Sequence, residues 1–377
     1  MQGGSVTGGG KARHAEIAGG GFAGLATAVA LRQRGWTVRV HEKASELRAF
    51  GAGIYLWHNG LRALESIGAL DEVVANSTRP PIYETRVQNR TVSREKLPGM
   101  LFRVMTRQHL HGAILAAARR AGVDIEVDSE VVSADPAGAV TLASGQVLRA
   151  DLVVGADGVG SAVRDSIGFA QDRQTSRDGI TRLLVPRLKD QLGPGEWDNV
   201  IDFWNFEPRV LRVLYSPCNE ADLYLALMAP SADPEGSQAP ISLALWAGIF
   251  PHLTPVLEAA AKIQGRYDRY QTTVVERWVR GRVALVGDAA HAMCPALAQG
   301  AGCAMVNGLR LAMALEGSSG VAAGLEAWEA EMRPLTDRCQ ARSANYAATR
   351  GMSKGNQFTP EVLETARYDP IEGRLIG

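Results

Sequence analysis

The sequence predicts an α/β fold in which a parallel-sheet domain carries an inserted, mainly antiparallel sheet. Three glycine-containing segments that follow apolar, strand-like runs predict the first part: residues 19–24 (GGGFAG), 153–164 (VVGADGVGSAVR) and 282–302 (RVALVGDAAHAMCPALAQGAG). Between about residues 180 and 275, short alternating runs separated by Pro, Gly and Asn predict the antiparallel sheet. A chain of 377 residues is long for one compact domain, so two domains are expected.

The first segment has the form of a Rossmann-like dinucleotide-binding unit. It lies between a strand-like run, 15–18, and a helix-patterned stretch, 22–34. In this context Gly19 permits a tight turn, Gly21 lets the backbone approach a pyrophosphate, and Gly24 lets the helix pack closely on the strand. The helix N-terminus then points its amide groups at the negative charge.

An acidic residue follows the second predicted strand of this unit. The strand-like run 37–41 leads directly into Glu42, roughly 20 residues beyond the glycines, where such units bind a ribose hydroxyl. The contacts predicted for the dinucleotide here are Gly19, Gly21, Phe22, Ala23, Gly24 and Glu42. The alternative interpretation is a glycine-rich turn that binds nothing.

The next elements are predicted from capping, breaker and periodicity signals. Asn59 can cap a helix over 61–70, entered by a glycine-loosened loop at 50–56. After a Pro-Pro pair, alternating residues at 83–87 predict the first strand of the second sheet. A helix over 105–121 places Arg107 at its start, where the guanidinium can reach back to cofactor phosphates.

The second glycine segment is a strand-to-helix turn with two open interpretations. In the functional one, the turn at Asp157 faces the cofactor crevice and Arg164 ties the following helix to it. In the other, Asp157 only caps that helix.

The third segment distinguishes a cofactor site from an ordinary turn better than the second segment does. Asp288, at the end of a buried strand, suits hydrogen bonding to the hydroxyls of a cofactor's sugar chain, and Pro295 followed by Gly300 and Gly302 places a helix N-terminus near a flat ring. Three such segments in this order indicate FAD, and Ala301 is also predicted to contact this cofactor. His291, flanked by alanines, is interpreted as a structural histidine rather than a general base.

The division into domains follows from these elements. Residues 1–12 form a disordered leader; 13–78, 103–179 and 276–340 form the FAD-binding domain; 79–102 and 180–275 form the substrate domain; and 341–377 form a C-terminal helical tail.

Composition narrows the class of partner. Forty basic residues balance 40 acidic ones, and the chain has no basic stripe, so we expect neither nucleic acid nor membrane as a partner. No apolar run is long enough to span a bilayer, and the leader lacks an apolar signal core, so a cytoplasmic protein is expected. The four cysteines have no metal-ligand spacing, so buried free thiols and no metal site are predicted.

The three glycine segments resemble those of the group A flavoprotein monooxygenases, which share the 4-hydroxybenzoate hydroxylase fold. Further stretches resemble a branch of that family, the 2-methyl-3-hydroxypyridine-5-carboxylate oxygenases of vitamin B6 degradation: HEKASELRAFGAGIYLWHNGLRALE, GEWDN, LYSPCNE, GDAAHAMCPALAQGAGCAMVNG, TDRCQA and ARYDP. The resemblance covers nearly the whole chain after the leader. Ala298, in place of the more usual glycine, and Asn307 fit this pyridine-acting branch, whereas Glu207 stands where the branch has an aromatic residue.

The resemblance implies a cofactor, two co-substrates and a reaction. FAD is bound non-covalently, with Lys43 and Arg48 of the first stretch as further contacts, and NADH or NADPH binds transiently to reduce it. Dioxygen then supplies the oxygen atom that hydroxylates a hydroxypyridine carboxylic acid, such as 2-methyl-3-hydroxypyridine-5-carboxylate or 5-hydroxynicotinate, and water addition opens the ring. No acid or base catalyst is assigned, and a homo-oligomer is possible.

The substrate pocket is predicted from residue type together with the resemblance. A ring that bears a carboxylate requires guanidinium and phenolic groups on the sheet that faces the flavin. The resemblance points most directly to Arg212 and Tyr224, and residue type adds others. The predicted substrate-binding residues are Arg212, Tyr224, Arg182, Tyr83, Tyr270 and Pro295.

Three alternatives remain at this stage. A flavin monooxygenase that hydroxylates a benzoic or phenolic acid without ring opening would share every cofactor motif. A flavin dehydrogenase or oxidase would share them as well, and so would a non-catalytic FAD-binding scaffold.

Overall fold

The computed structural model describes residues 12–47, 52–96, 101–349 and 359–376. The strands of these parts, in chain order, are β1 (His14–Ala18), β2 (Thr37–His41), β3 (Gly53–Trp57), β4 (Tyr83–Val87), β5 (Arg90–Glu95), β6 (Phe102–Thr106), β7 (Asp124–Glu126), β8 (Val131–Asp135), β9 (Ala139–Leu142), β10 (Val147–Arg149), β11 (Leu152–Gly155), β12 (Gln171–Pro186), β13 (Val200–Asn205), β14 (Leu211–Pro217), β15 (Asp222–Pro230), β16 (Tyr267–Val275), β17 (Val279–Arg280), β18 (Val283–Leu285), β19 (Tyr368–Asp369) and β20 (Arg374–Leu375).

The helices of the same parts are α1 (Phe22–Arg32), α2 (His58–Ser66), α3 (Leu70–Ala75), α4 (Arg107–Arg120), α5 (Ala162–Ser166), α6 (Leu243–Ile249), α7 (Thr254–Ala261), α8 (Asp288–His291), α9 (Gly300–Glu316) and α10 (Val321–Thr349). Single 3₁₀ turns lie at Lys189–Gln191, Pro251–Leu253, Pro295–Leu297 and Thr365–Arg367.

A six-stranded sheet in the order β17-β18-β11-β1-β2-β7 forms the first layer of the fold. Its central strands are parallel, because β1 pairs with both β2 and β11, and β11 pairs with β18. The carboxyl ends of β1, β11 and β18 therefore lie at one edge, and each of the three glycine segments leaves the sheet there. This is the edge at which open α/β sheets bind their ligands.

Helix α1 is buried from Ala23 to Leu31, because α4 and α9 pack on it as well as the sheet. The approach of α9 is close, since a Cβ atom on Gly308 would lie 2.1 Å from the Thr27 hydroxyl. The Thr27 hydroxyl in turn donates to the carbonyl of Ala23 at 2.7 Å. A small residue at 308 is thus required for α9 to reach the cavity described below.

A seven-stranded sheet in the order β16-β12-β15-β14-β13-β4-β5 forms the second layer. Its pairings are antiparallel except for the parallel pair β13–β4. One face packs on α6 and α7 through a core that includes Phe203, Val213 and Trp246. The other face packs on β3 and β6 through a core that includes Tyr55, Phe102 and Tyr224. The predicted fold class, a Rossmann-like domain with a mainly antiparallel second sheet, is confirmed.

Local details differ from the sequence-based expectations in several places. Residues 53–57 form strand β3, paired with β6, where a glycine-loosened loop over 50–56 was expected. The helix expected over 61–70 begins at His58, with Trp57 rather than Asn59 at its N-cap position, and ends at Ser66. Strand β12 runs through residue 179, where a domain boundary was expected.

The C-terminal part also differs from expectation. Helix α10 extends to Thr349, beyond the expected start of the tail at 341. The described remainder, 359–376, contains a 3₁₀ turn and the β19–β20 pair rather than further α-helix. Residues 1–11 of the expected leader lie outside the described residues.

Within the described residues, no individual helix combines the length and the apolar character needed to cross a bilayer. The bent pair Leu243–Ile249 and Pro251–Ala261 meets the test only when both parts are taken together.

Candidate active site

A cavity of about 1000 Å³ lies between the carboxyl edge of the parallel sheet and the open face of the seven-stranded sheet. Its lining contains all three glycine segments, through Gly21, Gly158 and Asp288. It also contains the side chains of β12, β13, β14, β15 and β16, and part of the C-terminal segment. The two halves of the predicted site therefore face one shared space.

The glycine turn after β1 has the geometry required for a close backbone approach. Gly19 has φ +101°, and a Cβ atom there would lie 2.4 Å from the carbonyl oxygen of Ala156. A Cβ on Gly24 would lie 2.0 Å from the carbonyl oxygen of Gly19, so the helix packs directly on the turn. Gly21 is exposed toward the cavity with open space beside it, and no side chain caps the N-terminus of α1.

Glu42 holds the glycine turn from the second strand. Its carboxylate accepts hydrogen bonds from the backbone amides of Gly20 and Ala44, each at 3.0 Å. Lys43 beside it is exposed. Arg48 lies outside the described residues.

Arg107 and Asp288 both line the cavity, and the charge of Arg107 acts on the Asp288 carboxylate. The guanidinium of Arg107 stacks over the ring of Phe22, 4.9 Å from its centroid. Asp288 lies deep in the fold, but its carboxylate faces the cavity and is accessible. Its deep placement raises the pKa of Asp288, and the positive charge of Arg107 partly opposes that rise.

Asp157 is a capping residue in this structure. Its two carboxylate oxygens accept hydrogen bonds from the Ser161 hydroxyl at 2.5 Å and from the Val163 amide at 3.1 Å, at the start of α5. Gly158 and Val159, not Asp157, line the cavity. Asp157 itself therefore caps the helix, while the turn that it begins also faces the cavity.

Arg164 ties α5 both to the turn that follows Asp157 and to the third glycine segment. The side chain is fully buried and donates to the carbonyl of Ala289 at 3.0 Å and to that of Val159 at 2.8 Å. Ala289 follows Asp288, and both Asp288 and Val159 line the cavity. The two hydrogen bonds of Arg164 therefore hold the second and third glycine segments together beside the cavity.

The third segment brings a second helix N-terminus to the cavity. Pro295, Gly300 and Ala301 line it, and no side chain caps α9. Ala298 has φ +52°, a left-handed conformation that favours glycine, which explains why glycine is the more usual residue in the family. Gly302 lies just behind the lining and packs on Asn59, whose Oδ1 would be 2.9 Å from an added Cβ.

His291 is a structural residue. Its ring is buried beside Trp278, and the Asn307 amide donates to Nε2 at 3.0 Å. Burial lowers the pKa of His291 to about 4, so the ring is neutral near pH 7. The four cysteines are buried free thiols, as predicted. The described residues contain no group of His, Cys, Asp and Glu side chains that could hold a metal ion.

On the other side of the cavity, Arg212 is already paired. Its Nε donates to Oδ1 of Asp202 at 2.6 Å and its Nη2 donates to Oδ2 at 3.0 Å, and the guanidinium stacks on Trp204. Burial acts against the charged form, but the attraction of Asp202 outweighs it and raises the pKa of Arg212 well above its usual range. Asp202 was not predicted from the sequence as a partner of Arg212.

Arg182 lies on the same sheet face as Arg212, two strands away, and is less completely paired. It lines the cavity together with Tyr224, and the nearest carboxylate oxygen, on Asp268, is 3.9 Å away. The guanidinium thus faces the cavity with a phenol as its neighbour.

The predicted tyrosines Tyr83, Tyr224 and Tyr270 all line the cavity. Tyr55, which was not predicted, also lines the cavity; its hydroxyl contacts Ser216 and its ring stacks on Phe102. Burial raises the pKa of each of these four phenols above its usual value. The sequence feature that could have identified Tyr55 is the strand pattern of residues 53–57. In a strand, alternate residues share a face, so Tyr55 and Trp57 point to the same side.

Other lining residues come from distant parts of the chain. Apolar side chains dominate this group: Trp57, Phe102, Trp204, Leu214, Met228, Leu297, Val362 and Leu363. The last two belong to the C-terminal segment, which a hydrogen bond from Gln299 to the carbonyl of Val362 attaches to the site.

This arrangement fits FAD. Two uncapped helix N-termini, those of α1 and α9, face the same cavity as the accessible carboxylate of Asp288. Helix N-termini bind phosphates and stabilise negative charge on a ring, and a carboxylate binds sugar hydroxyls.

Comparison with known proteins indicates the same cofactor as the geometry of the cavity, FAD. A family model described as FAD binding domain matches residues 13–343. The chain superposes with a TM-score of 0.95 on a tetrameric form of 2-methyl-3-hydroxypyridine-5-carboxylic acid oxygenase, with 64% sequence identity over 97% of this chain and 99% of that one.

Two named enzymes are also similar in sequence. A 2-heptyl-3-hydroxy-4(1H)-quinolone synthase from Mycobacteroides abscessus is 39% identical over 88% of this chain and 88% of its own length. A 6-hydroxynicotinate 3-monooxygenase from Bordetella bronchiseptica is 27% identical over 81% of this chain and 83% of its own length. The chain therefore belongs to the FAD binding domain family and, within it, to the FAD-dependent aromatic-ring monooxygenases.

Proposed function

We propose that this enzyme uses NADH or NADPH and dioxygen to hydroxylate a hydroxypyridine carboxylic acid, with 2-methyl-3-hydroxypyridine-5-carboxylate or 5-hydroxynicotinate as the substrate, and that water addition then opens the ring. One observation carries the proposal: Arg182 and Arg212 line, together with Tyr55, Tyr83, Tyr224 and Tyr270, a cavity whose other side fits a flavin. The 64% identity to an oxygenase of that name supports the same substrate class.

In this proposal the first layer holds FAD. The amides at Gly21 and the N-terminus of α1 bind the pyrophosphate, and Glu42 binds a ribose hydroxyl. Asp288 binds the sugar chain, and the N-terminus of α9 lies against the flavin ring. Arg107, stacked on Phe22, contributes positive charge near the phosphates.

The second layer holds the substrate. Arg182 and Tyr224 bind the carboxylate, and Arg212 donates a further hydrogen bond from its cavity side. Because the pKa values of Tyr55, Tyr83 and Tyr270 lie above their usual range, these phenols are protonated near pH 7. They therefore orient the ring through hydrogen bonds and do not act as bases.

The chemistry that bound FAD supplies is acceptance of a hydride from NADH or NADPH and transfer of one oxygen atom from dioxygen to the ring. The chain excludes water from that step through the apolar part of the lining, to which Trp57, Phe102 and Leu363 belong. The arginines and tyrosines orient the ring.

A quinolone ring is the second candidate substrate, because the relative from Mycobacteroides abscessus is named for a quinolone product. Arg182 argues against it, since a neutral alkylquinolone would offer its guanidinium no anion closer than the Asp268 carboxylate, 3.9 Å away.

The proposed function is tested by NADH oxidation in the presence of a panel of rings. The panel contains 5-hydroxynicotinate, 2-methyl-3-hydroxypyridine-5-carboxylate, 4-hydroxybenzoate and 2-heptyl-4(1H)-quinolone. We expect the hydroxypyridine acids to stimulate NADH oxidation most strongly. Stimulation by the quinolone or the benzoate alone would overturn the proposed substrate.

Assembly and location are further proposals. We propose a homo-oligomer, because the related oxygenase is described in a tetrameric form, and a cytoplasmic enzyme with no membrane or nucleic-acid partner. Light scattering of the purified protein tests the first.

A further inference from the structure

A buried carboxylate lies next to Arg212 on the face of the seven-stranded sheet that borders the cavity. Asp202 is fully buried on β13 and is not among the lining side chains. Its oxygens accept both hydrogen bonds from Arg212, and the hydroxyl of Tyr83 lies 3.4 Å from Oδ2. One carboxylate therefore contacts two cavity-lining side chains without reaching the cavity itself.

The register of the sheet places Asp202 in this position. In the antiparallel pair β13–β14, Trp204 lies opposite Arg212 and Asp202 lies opposite Leu214. Asp202 and Arg212 are thus diagonal neighbours on one sheet face, a spacing that long side chains can bridge. The hydrogen bonds use Nε and Nη2, while the side chain keeps 14% of its surface open.

The contacts around Arg212 fix the plane of its guanidinium. Asp202 binds one edge at two points, and the ring of Trp204 lies 4.9 Å from Cζ. An arginine side chain free of such contacts samples many rotamers, and ordering it on ligand binding would cost free energy. With Asp202 in place, that ordering is complete before a ligand binds.

We propose that Asp202 is a positioning residue for substrate binding: it holds the guanidinium of Arg212 and the hydroxyl of Tyr83 in the orientation that receives a ring acid. The inference rests on the proposed function, since it requires a carboxylated ring in this cavity. Asp202 acts only through its two neighbours.

The test compares two ligands that differ only in the carboxylate. Dissociation constants of 5-hydroxynicotinate and 3-hydroxypyridine are measured for the holoenzyme from the change in flavin absorbance. Their ratio reports the preference for the carboxylate. For Asp202→Asn we expect this preference to fall about tenfold to a hundredfold, the loss of one hydrogen bond to a charged group, while binding of 3-hydroxypyridine changes little.

Glu84→Gln is the matched control. Glu84 is likewise a buried carboxylate, on the neighbouring strand β4, and it accepts hydrogen bonds from Arg86 at 2.8 Å and Thr91 at 2.6 Å. It does not line the cavity. This variant should lower stability as Asp202→Asn does but keep the wild-type preference.

Two results would overturn the inference. If Asp202→Asn keeps the wild-type preference, Asp202 only supports the fold. If the preference increases, Asp202 moderates the charge of Arg212 rather than its orientation. If Asp202→Asn yields no folded holoenzyme, Asp202→Glu replaces it. That variant keeps the charge but displaces the carboxylate by one methylene, so it must also lower the preference, and an unchanged value counts against the inference.

The proposed function is judged separately, on the wild-type enzyme. If the wild-type enzyme shows no preference for the carboxylated ring, the proposed substrate is wrong and the inference about Asp202 falls with it. If the wild-type preference is present and Asp202→Asn retains it, only the inference fails.

Discussion

Arg182 and Arg212 show how similar residues on one sheet face differ in what they can offer a ligand. Arg212 is neutralised by a buried carboxylate, whereas the nearest carboxylate oxygen to Arg182 is 3.9 Å away. Removing Arg212 would therefore leave Asp202 buried without its partner, at a cost of about 3–5 kcal/mol in stability. Arg182 is the better residue at which to test carboxylate binding.

Replacing Arg182 by Met should weaken binding of 5-hydroxynicotinate by about 2 kcal/mol, roughly thirtyfold in Kd, because a charge-assisted contact is lost. Binding of 3-hydroxypyridine should change much less. Titration monitored by flavin absorbance measures both constants. Arg209→Met, on the far β13–β14 turn where Arg209 pairs with Glu235, is the control and should bind both ligands as the wild type does.

Removing the carboxylate of Asp288 should affect FAD binding, whereas removing that of Asp157 should affect stability. Asp288→Ala should raise the dissociation constant for FAD, since its carboxylate is accessible within the cavity. Asp157→Ala should instead lower the free energy of unfolding by about 1 kcal/mol, because a helix cap is lost. FAD titration and urea unfolding distinguish the two, and the account of these residues is wrong if Asp157→Ala loses FAD and Asp288→Ala does not.

At the residue scale, predicted residues that the structure places in the cavity lining include several whose sequence signal is local. The glycines and Asp288 lie in short segments in which the spacing of the residues alone indicates a cofactor-binding turn. Asp202 and Tyr55 were missed because their roles depend on partners in other strands: Asp202 meets Arg212 across a hairpin, and Tyr55 meets Ser216, 161 positions away. No local pattern records such pairings.

At the scale of elements, the glycine turn and α1 form one unit in which each glycine has a separate task. Gly21 has open space beside its Cα, whereas an added Cβ on Gly24 would collide with the Gly19 carbonyl. Gly21→Ala should therefore weaken FAD binding with little loss of stability of the FAD-free protein. Gly24→Ala should lower the free energy of unfolding by about 1–3 kcal/mol. Thermal unfolding with and without FAD tests this, and equal behaviour of the two variants would contradict it.

Strand β3 shows why element assignment fails at some positions. Glycine at 53 indicated a loop, but a Cβ there would lie 2.4 Å from the side chain of Tyr224. The glycine is thus required by close approach of β15 to β3, not by a turn. In contrast, β2 and β4 were predicted with correct bounds, since their alternating patterns match a half-buried strand.

At the scale of the whole molecule, buried histidines make stability depend on pH. The pKa of His291 is lowered to about 4 by burial, whereas an unfolded histidine titrates near 6.5. The unfolded state therefore takes up a proton first. The corresponding stability is complete above pH 6.5 and is lost as the pH falls toward 4, on the order of 3 kcal/mol.

Replacing His291 by Gln should flatten the dependence of the free energy of unfolding on pH between 6.5 and 4, because the titrating group is gone. Urea unfolding at saturating FAD, repeated across this pH range, measures the free energy of unfolding at each pH. An unchanged slope would show that His291 is not a neutral, buried histidine.

The central claim concerns the molecule as a whole: a flavin held by the parallel sheet oxygenates a ring acid held by the second sheet. Its most direct measurement is mass spectrometry of the product formed from 5-hydroxynicotinate, NADH and ¹⁸O₂. The account predicts a product that contains one ¹⁸O atom and the elements of one added water. Complete recovery of unlabelled 5-hydroxynicotinate, with all dioxygen reduced to hydrogen peroxide, would contradict it.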